Sequence, residues 1–328
     1  MRFEFQNEKV IEEIKRRKAK NVLIQLPEGI KRNGLEIANL LEKKTGVKVI
    51  VSGETCWGGC DIAIDEAKNL GADFIIHYGH APFKEYDYKD IFYVECYDNF
   101  KVTPLIKRSL ESLNSFKKIA LISSIQHIHK LKEVKEFLEK NNKEILIPSK
   151  KGYSYYDGHV VGCEYSGLKN ISCDAVLVLG NQFHSLGASL SIDKNVYLID
   201  IYNNNVILMN SLRDKVIKQR FASIERAKKA KRFGIIQGNK PGQKFGSADI
   251  LKKYLQEQDK EVLVITMSEI TPDKLLSFYN IEAFIELACP RIAIEDYDKY
   301  PKPILTFKEA LVLVNKLSWE DLLKQGLI

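Results

Sequence analysis

Residues 20–30 read KNVLIQLPEGI, an apolar run that ends in a loop containing proline and glycine. Two later stretches repeat this arrangement after a helical pattern: KKIALISSIQH at residues 117–127 and KRFGIIQGNKPGQ at residues 231–243. Short apolar runs bounded by turn-forming residues are typical of buried strands. Three such runs, each about 100 residues from the next, indicate an internal repeat of one supersecondary unit.

Each unit then continues in the same order. The helical patterns are GLEIANLLEKK, LKEVKEFLEKN and SADILKKYLQE, and the second strands are VKVIVSG, KEILIPS and KEVLVIT. The third strands lie in GADFIIHYGHAPF, SCDAVLVLGNQFH and NIEAFIELACPRI, and the fourth in KDIFYVECYD, KNVYLIDIYN and PKPILTFKEA. Alternating helices and strands predict three similar, small α/β domains with parallel sheets, at residues 1–100, 101–208 and 209–328. The non-alternating apolar runs predict strands that are buried on both faces.

Composition narrows the class of protein. The 328 residues are 45% hydrophobic and 28% charged, as expected for a globular protein with a large core. The first residues, MRFEFQNEKV, lack an apolar signal core, and no run of about 18 apolar residues occurs, so neither secretion nor membrane spanning is expected. A cytoplasmic location follows as an expectation, and there the six cysteines would be thiols rather than disulfides.

The formal charge of +7 is mild for this length and gives only a weak indication of nucleic-acid binding. The Lys- and Arg-rich stretch at residues 213–232, RDKVIKQRFASIERAKKAKR, is predicted to form a solvated helix face. We therefore expect no direct nucleic-acid partner.

The stretch GETCWGGCDIA at residues 53–63 carries two cysteines, Cys56 and Cys60. Their C-x3-C spacing begins the usual signature of radical S-adenosylmethionine enzymes, but Ala63 occupies the position of its third cysteine. Half of a cluster site, a zinc clip, a disulfide or no function at all are the possible interpretations. The expected reducing compartment disfavours the disulfide.

Cys60, Cys163 and Cys289 are each predicted in a loop that follows a strand, one in each unit. Because chemistry gathers at the carboxyl ends of parallel strands, these loops can present the three thiols to a shared centre. Structural zinc generally takes four ligands from close pairs, whereas three cysteines on a four-iron cluster leave one iron open to a substrate. Three unrelated loop thiols remain the alternative. Cys96 and Cys173 lie within or against strands and are expected to be buried as small hydrophobic side chains.

Several other polar residues follow predicted strands. Lys240 and Lys244 in GNKPGQK offer cations to a carboxylate, and Glu28 offers an oxygen ligand to an ammonium group or to ribose hydroxyls, unless its loop is only a helix-capping turn. Arg291 would pair with a substrate carboxylate or, structurally, with Asp296.

Four histidines occur in two local pairs. His77 and His80 flank Gly79 at a strand end, where they would position a substrate, remove a proton from an acceptor imidazole, or serve as structural side chains. His127 and His129 alternate after a strand as metal-binding pairs do, but with no third ligand nearby in the sequence we expect them at the surface.

Six motifs in order resemble those of one family over nearly the whole chain: QLPEGI, GETCWGGCDIA, HYGHA, VVGC, GNKPGQK and ACPRIAIED. They look like the archaeal diphthamide biosynthesis enzymes, which are 3-amino-3-carboxypropyl transferases. The resemblance implies a homodimer in which each chain has three similar α/β domains, in a pseudo-threefold arrangement around a [4Fe-4S] cluster. It further implies that the open iron binds S-adenosyl-L-methionine, and that an external donor supplies the electron for non-classical radical cleavage. The products would be methylthioadenosine and elongation factor 2 with a modified histidine.

The resemblance also implies the residues of the site. Cys60, Cys163 and Cys289 would hold the cluster, and His77 and His80 would be catalytic. The residues expected to bind the cofactor are Glu28, Gly29, Gly79, Gly238, Lys240, Gly242, Gln243 and Arg291. In eukaryotic relatives the loop resembles T-Y-G-A-C, with cysteine at the Cys60 position but not at the Cys56 position, so Cys56 is expected to be a spare thiol that lines the pocket.

Two other hypotheses compete with this one. A quinolinate-synthase-like enzyme also takes one cysteine from each of three α/β domains but acts as a Lewis-acid dehydratase. The motifs of that family are missing from the sequence, which disfavours it. The second hypothesis is a non-catalytic ligand-binding protein with incidental thiols.

Overall fold

A computed structural model describes residues 3–83 and 88–328, and the strands of these residues form three main sheets and a short two-stranded ribbon. The strands are β1 (Phe3–Glu4), β2 (Asn21–Gln25), β3 (Lys48–Val51), β4 (Phe74–Tyr78), β5 (Ile91–Val94), β6 (Tyr97–Asp98), β7 (Lys118–Ser123), β8 (Glu144–Leu146), β9 (Ala175–Gly180), β10 (Asn195–Asp200), β11 (Asn205–Leu208), β12 (Arg232–Gly238), β13 (Glu261–Met267), β14 (Ala283–Glu286) and β15 (Ile304–Leu305). The α-helices are α1 (Asn7–Arg17), α2 (Gly34–Thr45), α3 (Ile64–Asn69), α4 (Thr103–Ser112), α5 (Leu131–Lys140), α6 (Gln182–Ser191), α7 (Asn210–Lys228), α8 (Ala248–Gln256), α9 (Pro272–Leu276), α10 (Pro290–Glu295), α11 (Phe307–Leu313) and α12 (Trp319–Gln325). Short 3-10 helices span Glu28–Asn33, Tyr88–Asp90, Ile125–Lys130 and Tyr297–Lys299.

The three main sheets share one strand order. The first runs β3-β2-β4-β5, the second β11-β10-β9-β7-β8, and the third β13-β12-β14-β15. Every pairing in them is parallel except that of β10 with β11. Counted along the chain within each unit, the first four strands have the order 2-1-3-4 in all three sheets, and the second sheet adds β11 beside β10. The switch point therefore lies between the first and third strands. The predicted α/β class with parallel sheets is confirmed, whereas the domain boundaries stay a prediction.

Alternate residues of the central strands enter different cores, because successive side chains of a strand point to opposite faces. In β9, Val176 and Val178 pack in one hydrophobic cluster, while Leu177 and Leu179 pack in another on the opposite face. The first and third sheets are covered on both faces in the same way. Each aliphatic side chain buried in this way contributes about 1.5–3 kcal/mol.

The second strand of a unit lies at the edge of its sheet, and there the prediction of two buried faces is wrong. Leu263 and Val264 in β13 expose 44% and 37% of their surface, and Val51 in β3 exposes 38%. The apolar run resembles that of a central strand, but β13 and β3 each have one neighbour rather than two.

An acidic residue just before the third strand of each unit fixes the start of the first strand. Asp73 accepts hydrogen bonds from two successive backbone N–H groups at residues 20 and 21, and Asp174 does so at residues 117 and 118. Glu282 accepts from the N–H groups of residues 231 and 232. These bonds hold the pKa of each carboxyl below its ordinary value, to about 2 for Glu282. The same pair of carboxylate hydrogen bonds occurs at three equivalent positions, which supports the internal repeat that the apolar runs indicate.

Helix α7 departs from the predicted solvated face at one residue. The Arg220 side chain is fully buried and pairs with Glu309 at 2.7 Å, while its guanidinium donates to the carbonyls of Ala293 and Ile304 at 2.6 and 2.7 Å. Arg220 thus joins α7 to α10, β15 and α11. Within the described ranges, every helix falls short of the length or apolar character that a bilayer crossing requires.

Candidate functional site

The three cysteines predicted to converge lie in loops of the three different sheets. Cys60 follows β3, Cys163 lies between β8 and β9, and Cys289 is the N-cap of α10, directly after β14. Burial raises the pKa of Cys163 well above its usual value, and the neighbouring charges of Cys289 and Cys60 raise it further. Burial likewise raises the pKa of Cys60 to about 11 and that of Cys289 to about 12. The fold therefore brings the three thiols into one electrostatically coupled group.

The spacing of these thiols is wider than one metal ion requires. Zinc–sulfur bonds of about 2.3 Å place two thiolates on one ion at most about 4.6 Å apart. Among the described residues, the three cysteines do not form a group whose ligand atoms all lie within 4.8 Å of one another. Three thiols that do not all lie within reach of one ion fit a polynuclear cluster, whose thiolate ligands bind different iron atoms.

The loop after β12 packs directly on Cys60. A side chain at Gly242 would place its Cβ 2.6 Å from the Cα and carbonyl oxygen of Cys60. The amide of Gln243 donates toward Cys60 Sγ at 3.7 Å, and a side chain at Gly238 would approach the Gln243 carbonyl oxygen to 2.8 Å. Lys240, predicted to meet a carboxylate, forms a 2.7 Å ion pair with Asp61, so the carboxylate is one of this chain.

The Cys289 loop is held from within by a carboxyl group. Glu286, at the end of β14, accepts hydrogen bonds from the backbone N–H groups of Ala288 at 3.0 Å and Cys289 at 2.8 Å. Burial raises the pKa of Glu286 to about 8. These two bonds shape the turn that presents the Cys289 thiol at the end of the strand.

Arg291 follows Cys289 by two residues, and only 4% of its surface is exposed. Its guanidinium stacks 4.0 Å over the Phe183 ring, donates to the Phe183 carbonyl at 2.7 Å and pairs with Glu295. The structural partner is therefore Glu295, not Asp296, which pairs with Lys299. Arg291 Nε and Nη1 have no hydrogen-bond partner within the described ranges, so two buried donors remain for an anionic group.

His77 and His80 are joined by a hydrogen bond of 2.9 Å between Nε2 and Nδ1. His77 is fully buried in β4, and its Nδ1 lies 2.9 Å from Gln25 Oε1. Burial lowers the pKa of His77 well below its ordinary value and that of His80 to about 4, so both rings are neutral at neutral pH. Gln25 was not predicted from the sequence, where its only signal is that of a polar residue at the end of a buried strand.

The remaining predicted cofactor residues lie at the switch point of the first sheet. Glu28 exposes 60% of its side chain and pairs with Lys31 at 2.6 Å, and Gly29 is also exposed. Gly79 adopts a left-handed φ of 83°, and a Cβ there would lie 2.8 Å from the ring of Pro27. A nonglycine residue at position 79 would therefore be strained in the loop between the two strand ends.

Within the described ranges, which include all six cysteines, every cysteine is a free thiol. Cys96 and Cys173 are buried, as predicted, and so is Cys56. The prediction that His127 and His129 both lie at the surface is wrong for His127, which exposes only 1% of its surface. The 3-10 helix after β7 turns His127 inward and leaves His129 exposed.

Known proteins that are similar to this chain belong to one family. Residues 26–323 match the family described as diphthamide synthesis protein. The 2-(3-amino-3-carboxypropyl)histidine synthase of Pyrococcus horikoshii is 35% identical over 317 residues, which cover 96% of this chain and 91% of that protein. Subunit 1 of the corresponding synthase of Schizosaccharomyces pombe is 30% identical over 97% of this chain and 75% of its own length. The crystal structure of Dph2 from Pyrococcus horikoshii with a 4Fe-4S cluster is similar with a TM-score of 0.88 at 33% identity, covering 96% of this chain and 92% of that chain.

Proposed function

Because the chain belongs to the diphthamide synthesis family, we propose that it is a transferase that uses S-adenosyl-L-methionine to build 2-(3-amino-3-carboxypropyl)histidine on elongation factor 2. In this reaction the 3-amino-3-carboxypropyl group moves to a ring carbon of the acceptor histidine, and methylthioadenosine is released. The observation that carries the proposal is the convergence of Cys60, Cys163 and Cys289 from three separate sheets.

These three thiols would hold a [4Fe-4S] cluster. Their number and their burial fit such a group, and the Dph2 crystal structure from Pyrococcus horikoshii contains one. When bound, the cluster supplies an electron for cleavage of the sulfonium and an open iron that binds S-adenosyl-L-methionine. The protein contributes the enclosure: Gly242 allows the two loops to approach, and Gln243 donates a hydrogen bond to the Cys60 sulfur.

Arg291 supplies the clearest ligand donors beside the cysteines. Its two unpartnered donor nitrogens, Nε and Nη1, are buried, and its charge offsets part of the rise in pKa that burial causes at Cys163 and Cys289. A buried guanidinium with free donors favours a carboxylate over a neutral group. We assign Arg291 to the carboxylate of the aminocarboxypropyl group, with Lys240, Gln243 and the glycines of the same loop forming the adjoining wall.

Two predicted roles have weaker support. Glu28 lies exposed in an ion pair, so binding of an ammonium or ribose group by Glu28 stays a prediction. Removal of the acceptor proton by His80 also stays a prediction, because a pKa of about 4 makes the ring a weak base at neutral pH. The homodimer, the external electron donor and the cytoplasmic location are proposed from the family resemblance alone.

Anaerobic reconstitution and product analysis test the proposal. The reconstituted chain should contain about four irons, the content of a [4Fe-4S] cluster, and with S-adenosyl-L-methionine, a reductant and elongation factor 2 it should release methylthioadenosine. Cys60→Ala, Cys163→Ala and Cys289→Ala should each lose both iron and product, whereas Cys173→Ala removes a buried thiol outside the site and should keep both.

Two results would contradict the proposal. One is a colourless, iron-free protein after reconstitution. The other is formation of quinolinate in place of methylthioadenosine, which would indicate a dehydratase. The Arg291→Lys variant adds a finer test, since loss of the planar donor pair should raise KM for S-adenosyl-L-methionine while leaving the iron content unchanged.

A further inference from the structure

A second set of metal-ligating side chains includes Cys56, which lies in the same loop as Cys60. Cys56, His77 and His80 each offer a ligand atom, and these atoms all lie within 4.8 Å of one another. Cys56 and His77 are buried, and His80 is partly buried. Among the described residues, this is the group of three potential metal ligands whose atoms lie within 4.8 Å of one another. None of its members is among the cysteines proposed to bind the iron–sulfur cluster.

The hydrogen bonds of Gln25 fix the orientation of His77. Gln25 Nε2 donates to the Asp61 carbonyl at 2.8 Å, so its Oε1 is the atom that accepts from Ala63 N at 3.2 Å and faces His77 Nδ1 at 2.9 Å. An amide oxygen only accepts, and therefore His77 Nδ1 carries the proton. The lone pair of His77 Nε2 then points away from Gln25, toward His80 Nδ1 at 2.9 Å.

This arrangement is the one found around histidines that bind metals. A ligating histidine almost always donates its other ring N–H to an oxygen, which fixes the tautomer and orients the ring. Tetrahedral zinc with bonds of about 2.0–2.1 Å to nitrogen separates two imidazole nitrogens by roughly 3.3 Å. His77 Nε2 and His80 Nδ1 lie 2.9 Å apart. To bind one zinc ion, these two nitrogens would therefore have to move apart by only a few tenths of an ångström.

We propose that Cys56, His77 and His80 bind one divalent ion of the zinc class, at a site separate from the cluster held by Cys60, Cys163 and Cys289. One thiolate and two imidazoles suit such borderline-soft ions, and three protein ligands leave one coordination position open. The proposal does not depend on the transferase activity. It also assigns a function to Cys56. The metal ion would replace the hydrogen bond between the two histidine rings and would bind His80 through Nδ1, the nitrogen that faces His77.

Metal analysis of the cluster-loaded chain tests the site. After reconstitution, the chain is equilibrated with zinc, desalted anaerobically, and its iron and zinc are measured together. The wild-type chain should retain one zinc in addition to the cluster iron. Cys56→Ala and His80→Gln should lose the zinc and keep the iron, whereas Cys60→Ala should lose the iron and keep the zinc.

Two further variants sharpen the result. Gln25→Met removes the oxygen that orients His77 and should weaken zinc binding roughly 10- to 100-fold. Cys173→Ser replaces a buried thiol elsewhere and should change neither metal. In the Cys60→Ala chain, which lacks the cluster absorption, cobalt in place of zinc should give a thiolate-to-metal charge-transfer band that disappears when Cys56→Ala is added.

Three outcomes would overturn the proposal: no zinc retained by the wild-type chain, zinc retained by Cys56→Ala, or parallel loss of iron and zinc in Cys56→Ala. The last outcome would place Cys56 in the cluster set. Because methylthioadenosine release is measured separately, failure of the zinc site is distinguishable from failure of the proposed transferase function.

Discussion

Replacing Gly242 with alanine is expected to weaken binding of the proposed cluster without unfolding the chain. The added Cβ would lie 2.6 Å from the Cα and the carbonyl oxygen of Cys60, and 2.8 Å from its Cβ. Two of these three atoms belong to the backbone, which cannot rotate away as a flexible side chain does. Gly242 does not have a left-handed φ, so the effect of alanine is steric rather than conformational.

The size of the effect follows from the distances. Ordinary van der Waals contact begins at 3.4 Å, so the two loops must separate by about 0.8 Å to relieve the 2.6 Å contacts. Overpacking of this kind costs about 1–3 kcal/mol. In the metal-free chain the loops can relax, but the proposed cluster would fix Cys60 relative to Cys163 and Cys289. We therefore expect cluster affinity to fall roughly 5- to 150-fold, the equivalent of that energy.

The assay is iron and sulfide content per chain after anaerobic reconstitution over a range of iron concentrations, with thermal unfolding of the metal-free chain as a check of the fold. Gly53→Ala is the matched control. It lies in the same loop as Cys60, with no atom within 4 Å of its added Cβ and no left-handed φ. Wild-type cluster affinity in Gly242→Ala would refute the steric reasoning, as would an equal loss in Gly53→Ala.

Three other predictions concern buried polar groups. Arg220→Met should lower the free energy of unfolding by about 3–5 kcal/mol, because it leaves the Glu309 carboxylate buried and unpaired; denaturant titration measures this loss, and adding Glu309→Gln should recover part of it. Gln243→Leu removes a donor to the Cys60 sulfur and should make the cluster harder to reduce, since that N–H offsets negative charge; a redox titration that finds an unchanged potential would contradict this. Burial lowers the pKa of His159 from 6.5 to about 4, so its contribution to stability is complete above pH 6.5 and is lost as the pH falls toward 4. His159→Phe should therefore reduce the acid sensitivity of the metal-free chain, by up to about 3 kcal/mol at pH 4, and an unchanged pH profile would assign that sensitivity to other groups.

Much of the fold could be predicted because its signals are local. The apolar runs at residues 21–25, 118–123 and 232–238 form the first strand of each repeat unit. The helices and strands predicted after each run occur in the predicted order. Such patterns depend on near neighbours along the chain. The sequence also contains, at Asp73, Asp174 and Glu282, the acidic residues that fix the strand starts, but their role was visible only from their bonds.

The sequence could nominate Cys60, Cys163 and Cys289, since strand ends are where parallel sheets place their chemistry. It could not establish that the three loops meet. That meeting depends on how three sheets pack on one another, which is set by contacts between residues far apart in the chain. Gly242 shows this plainly, because its need to lack a side chain arises from a residue about 180 positions away.

By itself, the sequence determined the α/β class, the threefold repeat and the residue types able to bind a cluster, because periodicity and composition are properties of the chain alone. Only the tertiary structure decided which polar groups are buried and what they contact. Arg220 and His127 look like surface residues in the sequence, yet both are enclosed. Cys56 looks like a spare copy of Cys60 until the fold places it beside His77 and His80. Desolvation and partner geometry are set by distant atoms, and no local pattern records them.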